Sequence, residues 1–241
     1  ISRFTDFFEA DDVYHLVMEL VEGGELFDRV VARQNYSELE ARECIRGMLA
    51  AIAYCHNVGV VHRDIKPENV LLASQDNDHD IKLADFGLAQ AVSSSAVLLM
   101  QCGTPSYVAP EILKAQPYGK AVDVWSVGVV SFILLCGYPP FYASQTDQLY
   151  AKIKRGKVRF DDVVWDSVSA DAKDLLRGMM TVEPDDRLTA EKALCHRWFV
   201  DHDATELQLR DLGGALRQMR LFHARRKFKA AIRSAIIVRR L

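Results

Sequence analysis

The stretch VDVWSVGVVSFILLCGYPPF, residues 122–141, limits the possible fold more than any other part of the chain. A helix that is apolar all round has no face to offer water and must be enclosed by other elements. Asp123 near its start and Gly-Tyr-Pro-Pro at its end suit a buried core helix better than a membrane span. Enclosing it takes a large core, and 241 residues, 49% of them hydrophobic, are enough to build one. The first residues, ISRFTDFFEADD, lack the charged-then-apolar plan of a signal peptide. Cys44, Cys55, Cys102, Cys136 and Cys195 are odd in number, form no CxxC pair and have apolar neighbours. They read as reduced, mostly buried thiols of a cytoplasmic protein and not as a metal site.

The remaining patterns begin with strand and turn to helix. VYHLVMEL, residues 13–20, is a β-branched and aromatic run that stops at Glu22-Gly23-Gly24, which predicts a strand and a turn. SELEARECIRGMLAAIAYCHNVG opens with Ser37 and Glu40 in capping-box spacing and sets Ala41, Ile45, Met48, Leu49 and Ile52 at helical intervals. A long amphipathic helix ending near Gly59 follows. Short apolar runs come next (VVH, VLLA, IKLADFG), then a loop-like stretch over 88–108, then helical patterns from Val122 onward. The expected class is α+β.

Three short motifs stand in a fixed order: HRDIKPEN at 62–69, DFG at 85–87 and APE at 109–111, with CGTPSY just before the last. Together they resemble the signature set of the eukaryotic protein kinases. The resemblance implies a mostly helical C-lobe, transfer of the ATP γ-phosphate with Mg²⁺, and a Ser/Thr substrate, because Lys66 follows Asp64 by two residues and GTPSY lies downstream. Phosphoryl transfer asks a protein mainly to position the hydroxyl and neutralise phosphate charge. By resemblance, Asp64 orients the substrate hydroxyl, Asn69 and Asp85 hold Mg²⁺, and Lys66 sits by the transferring group. In MELVEGGELFDRV, Met18 takes the gatekeeper position, Glu19 to Val21 offer backbone groups to adenine, and Glu25 reaches ribose or a basic substrate residue. Leu71 forms the floor under adenine. Met18 and Leu71 are also residues that would fill a core in any fold. The same resemblance has Thr104 bridge Asp64 and Lys66, Asp123 brace the catalytic loop, and Arg187 pair with Glu111. Glu25 and Glu68 are expected to favour substrates with a basic residue upstream of the Ser or Thr.

The chain's end is its electrostatic opposite. From Ala215 onward it carries nine of the 30 Lys and Arg and none of the 33 Asp and Glu, which leaves 21 basic against 33 acidic groups before it, net −12. So acidic a body argues against a nucleic-acid partner. GGELFDR, CGTPSYVAPEIL, YGKAVDVWSVGV, GYPPF and HRWF resemble the calcium/calmodulin-dependent kinases in particular. FHARRKFKAAIRSAI is similar to the calmodulin-binding segment that follows their catalytic domain and inhibits it. Acidic, Met-lined calmodulin suits a basic helix with spaced apolar anchors. Arg225, Arg226 and Lys227 supply charge, and Phe228, Ile232 and Ile237 stand first, fifth and tenth in such a pattern. A basic helix packed permanently on its own acidic body, or one lying on an anionic membrane, has the same composition. If 212–241 is one helix, Leu212, Leu216, Met219 and His223 line a stripe roughly 150° from Phe228, Ala231, Ile232 and Ala235. The first stripe is then expected on the kinase body, carrying the basic segment across the substrate groove to acids such as Glu25.

The division expected is an N-lobe remnant and hinge at 1–21, the C-lobe at 22–199 and a regulatory tail at 200–241. By resemblance the Gly-rich loop, the strand lysine that holds the phosphates and its helix glutamate are absent from this chain, which is therefore expected to transfer phosphate poorly or not at all. The expected alternative to an active kinase is a pseudokinase acting as a calmodulin-responsive binding module. Unpartnered apolar groups at Phe4, Phe7, Phe8 and Leu16 are expected on an open sheet edge. Met100 occupies the position where many relatives carry a phosphorylated Thr, which leaves Arg63 without its usual partner. Ser93, Ser94 and Ser95 lie too far away to replace it. Ala215 stands where some relatives carry a regulatory Thr, and Ser234 lies inside the basic segment.

Overall fold

The computed structural model describes residues 1–92, 98–201 and 203–238, with the side chains beyond Ile232 left out. Ser93, Ser94, Ser95 and the side chains of Ser234, Ala235 and Ile237 therefore lie outside the described residues. The chain opens with an antiparallel hairpin, β1 (Phe4–Ala10) and β2 (Val13–Met18), followed by helices α1 (Leu26–Ala32) and α2 (Glu38–Asn57). Four strand fragments come next, β3 (Val60–Val61), β4 (Val70–Leu72), β5 (Ile81–Leu83) and β6 (Gln90–Ala91), with β3 paired to β6 and β4 to β5. The rest is helical: α3 (Pro110–Leu113), α4 (Ala121–Cys136), α5 (Thr146–Arg155), α6 (Ala170–Met179), α7 (Ala190–Leu194), α8 (Arg197–Val200), α9 (Ala204–Leu209) and α10 (Gly213–Val238).

Helix α4 is the enclosed element that its sequence demands. Every residue from Val122 to Cys136 is buried, and α2, α6 and α10 pack around it. Among the described residues no helix is long and apolar enough to cross a membrane. Helix α2 begins where the capping box places it: the Ser37 hydroxyl accepts from the Glu40 N–H, and the Glu40 carboxylate accepts from the Ser37 N–H. Its first turn also carries a buried carboxylate, Glu38, which accepts from the Ser169 N–H at 2.8 Å and from the Trp198 indole at 2.7 Å. That acid joins the starts of α2, α6 and α8.

A buried ion pair adds a further link. Arg187 donates to both oxygens of Glu111, at 2.7 and 3.0 Å, and to the carbonyls of Ala121, Thr181 and Val182. Its guanidinium also lies 5.1 Å from the Trp125 ring centroid. This is the pair expected from the sequence, and its full complement of partners is what makes an ionised arginine tolerable at 4% exposure.

Helix α10 is one continuous helix, and its first stripe is internal. Leu212, Ala215, Leu216 and Met219 are at most 2% exposed and belong to the same core cluster as α4. The approach is set by Gly137, the left-handed cap of α4 (φ 87°): a Cβ there would stand 2.3 Å from the Ala215 carbonyl oxygen. The opposite stripe faces water, with Phe228 68% and Ile232 43% exposed.

The hinge-like passage that follows the Glu22-Gly23-Gly24 turn contains a helix that the strand-and-turn reading did not include, α1, with Leu26, Phe27 and Val30 buried. The thiols are mostly buried, as expected: Cys44, Cys55 and Cys136 are buried, Cys102 is half-buried and Cys195 is exposed. The hairpin agrees with its sequence, since every residue of β1 and β2 is exposed, including Phe4, Phe7, Phe8 and Leu16. A two-stranded ribbon with both faces wet is marginal by itself and gains stability only from a partner.

Arg187→Ala strands Glu111 in the core, and breaking such a pair costs about 3–5 kcal/mol. Urea unfolding should show the midpoint falling accordingly, with Glu111→Gln in the same background recovering part of the loss.

Candidate active site

The catalytic loop is held by a carboxylate from below. Asp123, wholly buried in the first turn of α4, accepts the N–H groups of His62 and Arg63 at 2.8 Å each and lies 2.9 Å from His56 Nε2. Two consecutive N–H groups aimed at one carboxylate require a sharp kink, and Arg63 adopts φ 70° to supply it. A non-glycine residue there is strained by about 1–2 kcal/mol. Charge-assisted bonds of about 1.5–3 kcal/mol each offset that strain.

Beyond the kink, the polar side chains converge. Asp64, 7% exposed, takes the Thr104 hydroxyl at 2.8 Å on one oxygen and the Lys66 ammonium on the other. Asn69 Nδ2 donates to the Asp64 carbonyl at 2.8 Å, which closes the loop on itself. The expected bridging role is thus inverted: the carboxylate joins Thr104 and Lys66. Ala84 N–H donates to the Asn69 carbonyl at 3.0 Å, so β5 delivers the next residue, Asp85, beside Asn69. Asp85 is exposed, has φ 61°, and accepts from the Gly87 N–H at 3.3 Å. Strain at two chemistry-bearing residues, Arg63 and Asp85, marks a site that the surrounding fold over-determines. His62 completes the support, its Nε2–H donating to the Ala84 carbonyl at 3.1 Å and its ring packing on Phe86.

Arg63 is not left without partners. Its Nε donates to the Leu88 carbonyl at 2.5 Å and its Nη1 to the Tyr118 hydroxyl at 3.2 Å. Nothing in the motif pattern pointed to Tyr118, which is 55 residues away in sequence.

The expected nucleotide side is more open than a core. Met18 is 54% exposed at the end of β2, and Leu71 is half-buried between buried Val70 and Leu72. Neither fills a core, because Met18 sits on the wet hairpin and Leu71 lies on the open face of a three-residue strand. The turn between them is strapped down: Gly23 N–H donates to the Leu72 carbonyl and Leu72 N–H to the Gly24 carbonyl, at 3.1 and 2.9 Å. Gly23 is required there, since a Cβ would stand 2.3 Å from the Leu72 oxygen. Glu19 N–H is committed to the Arg3 carbonyl at 2.9 Å, and Val21 is half-buried nearby in the chain. The Lys82 ammonium and the Arg3 N–H hold the Glu19 carboxyl below its ordinary pKa.

An acidic patch made by α1 and the catalytic loop meets α10. Arg226 pairs with Glu25 at 2.5 Å and with Glu68 at 3.4 Å, and its guanidinium lies 5.7 Å from the Phe27 ring centroid. Lys227 reaches Glu25 and Asp28 at 3.1 and 3.0 Å, and His223 reaches Asp28 at 2.6 Å. Arg220 caps the end of α1, donating to the carbonyls of Val31 and Arg33 at 2.9 and 2.6 Å. Glu25 and Glu68, expected to read a basic substrate residue, are both occupied by one arginine of the tail. Asp28, missed in the sequence, lies one helical turn beyond Glu25.

Residues 1–199 match the protein kinase domain family. The chain belongs to that family. Over its full length it is 45% identical to a calcium/calmodulin-dependent protein kinase type 1 of Caenorhabditis elegans and 43% to a type 1B enzyme of Homo sapiens, spanning 68% and 69% of them. It is 46% identical to a type II enzyme of Caenorhabditis briggsae, of which it spans 45%. These relatives put the kinase in the Ser/Thr class and in the calcium/calmodulin-dependent group.

The ion patch has a pH signature. Partial burial pushes the Asp28 carboxyl up, but the Lys227 bond and charge together with His223 outweigh it, so its pKa lies below the ordinary 3.8. A depressed carboxylate stabilises the docked helix fully above pH 3.8 and loses that contribution as pH falls through its lowered value. Carbon-13 NMR titration of the Asp28 carboxyl should give an apparent pKa under 3.8, returning toward it in Lys227→Ala.

Proposed function

We propose that this kinase transfers the ATP γ-phosphate to Ser or Thr of substrates bearing an upstream basic residue, and that α10 blocks it until Ca²⁺-calmodulin draws the helix away. One observation carries the regulatory part: Arg226 sits on Glu25 and Glu68 while Phe228, two residues on, is 68% exposed. The helix engages the kinase body with one face and keeps a basic, apolar face free for a partner with acidic, Met-lined pockets. The human and nematode relatives carry calmodulin dependence in their names.

The donor set fits the cofactor. Asp85 offers an exposed carboxylate beside the Asn69 amide, both oxygen ligands of the kind Mg²⁺ takes. Bound there, Mg²⁺ neutralises phosphate charge. Asp64, held by Thr104 and Lys66, orients the substrate hydroxyl and accepts its proton. Lys66 supplies positive charge at the same point. Met18, the backbone of Glu19 and Val21, and Leu71 form the adenine side.

Full-length gene product carrying Asp64→Asn should bind Mg-ATP nearly as before yet turn over about two orders of magnitude more slowly; full turnover would contradict the role given to this loop. A peptide of residues 216–241 should bind calmodulin only with Ca²⁺. Phe228→Asp and Ile237→Asp should each weaken that binding at least tenfold, or about 1.4 kcal/mol. Binding that ignores calcium and both substitutions would leave α10 as a permanently packed or membrane-surface helix.

A further inference from the structure

Residues 98–104 cross the catalytic loop without forming a helix and end at Thr104 on Asp64. Their path is fixed by Tyr118, the residue preceding Gly119 ahead of α4, which is 4% exposed. Leu98 and Tyr118 exchange backbone bonds at 2.9 and 3.0 Å. The Tyr118 hydroxyl then donates to the Met100 carbonyl at 2.6 Å and accepts from Arg63 Nη1 at 3.2 Å, with Cys102 Sγ 3.8 Å away. Gly103, at φ 107°, passes so close that a Cβ there would stand 2.9 Å from the Arg63 carbonyl oxygen. Among the described residues no carboxylate pairs with Arg63, so its buried guanidinium is met by neutral oxygens only.

A tyrosine hydroxyl is one donor and one acceptor site in a fixed direction, and here both are used. The segment is gripped through the carbonyl of residue 100, which any side chain leaves in place. That explains how Met100, 62% exposed, serves at this position. We propose that Tyr118 is a positioning residue for phosphoryl transfer: its hydroxyl fastens the backbone of residue 100 to Arg63 and so keeps Thr104 on Asp64 with no phosphate on the segment. Burial, partly opposed by the Arg63 bond, raises the phenol's pKa above 10.0, so the donated proton stays in place at any physiological pH. The role rests on the kinase reading of Asp64. A tyrosine that merely fills space would act through its ring, and Tyr118→Phe keeps the ring while deleting the hydroxyl.

The test has a structural and a kinetic arm. In the 241-residue chain, Tyr118→Phe should raise amide hydrogen exchange over residues 99–104 and iodoacetamide labelling of Cys102 at least fivefold. Labelling of exposed Cys195 and buried Cys44 should stay unchanged, which separates local loosening from unfolding. Met100→Ala should leave exchange as it is. In the full-length gene product, Tyr118→Phe should lower kcat at least fivefold with KM for ATP unchanged, and Arg63→Gln, which cuts the same link from the other side, should do likewise. Unchanged exchange in Tyr118→Phe overturns the proposal, as does a loosened segment with unchanged kcat. Full activity of Asp64→Asn would instead overturn the kinase reading, and the exchange arm does not depend on it.

Discussion

Asp123 is a carboxylate without access to water, placed in the first turn of the most enclosed helix of the molecule. Burying an ionised group costs several kcal/mol unless donors surround it, and the donors here are two backbone N–H groups of the catalytic loop and the His56 ring. The demand for solvation runs in both directions: the loop satisfies the acid, and the acid dictates the loop's kink at Arg63. From that kink the remaining geometry descends, since Asp64 is presented to Thr104 and Lys66 only while residues 62 and 63 are held. A negative charge near the helix N-terminus also matches the positive end of the α4 dipole. The core and the chemistry thus share one residue.

The second organising feature is a shared acidic patch. Glu25 stands in the N-terminal turn of α1, Glu68 in the catalytic loop and Asp28 one turn into α1, and the tail contributes His223, Arg226 and Lys227. Arg226 is far more buried than Lys227, with a side chain 13% exposed against 48%. The Lys227 pairs are therefore of the exposed kind, worth about 0–1 kcal/mol each and weakened by salt, while the Arg226 pairs are less screened by water and its guanidinium also meets the Phe27 ring. Under the proposed function, a basic substrate would seek the same two carboxylates that Arg226 occupies.

Much of this was legible in the sequence. The capping box of α2, the all-apolar α4, the buried stripe of α10 and the Glu111–Arg187 pair are local patterns or motif partners whose physics is carried by residue type. Features that escaped depend on contacts between distant segments. Helix α1 hides in a glycine-rich passage because two glycines precede it and only three of its seven residues are buried. Met18 looked like core material, but a strand whose ribbon is wet on both faces exposes whatever it carries. Tyr118 gave no signal at all: its hydroxyl acts on Arg63 and Met100 through a turn whose course depends on the tertiary placement of α4. Asp28 was invisible for a similar reason, since its partners lie about 200 residues along the chain.

The packing of Gly137 against α10 has a mechanical consequence. Because the Ala215 and Met219 backbone rests directly on the cap of α4, the first two turns of α10 are as much core as any helix and cannot leave without exposing Leu212, Leu216 and Met219. Phe228 lies nine residues beyond Met219, about 13 Å further along the axis, and what holds that outer arm is a handful of ion pairs and one arginine cap. The helix is therefore a latch with a welded base and a loosely fastened tip. Anything that pulls on the tip works against surface electrostatics and not against the core, so the same helix can stabilise the fold at one end and be released at the other.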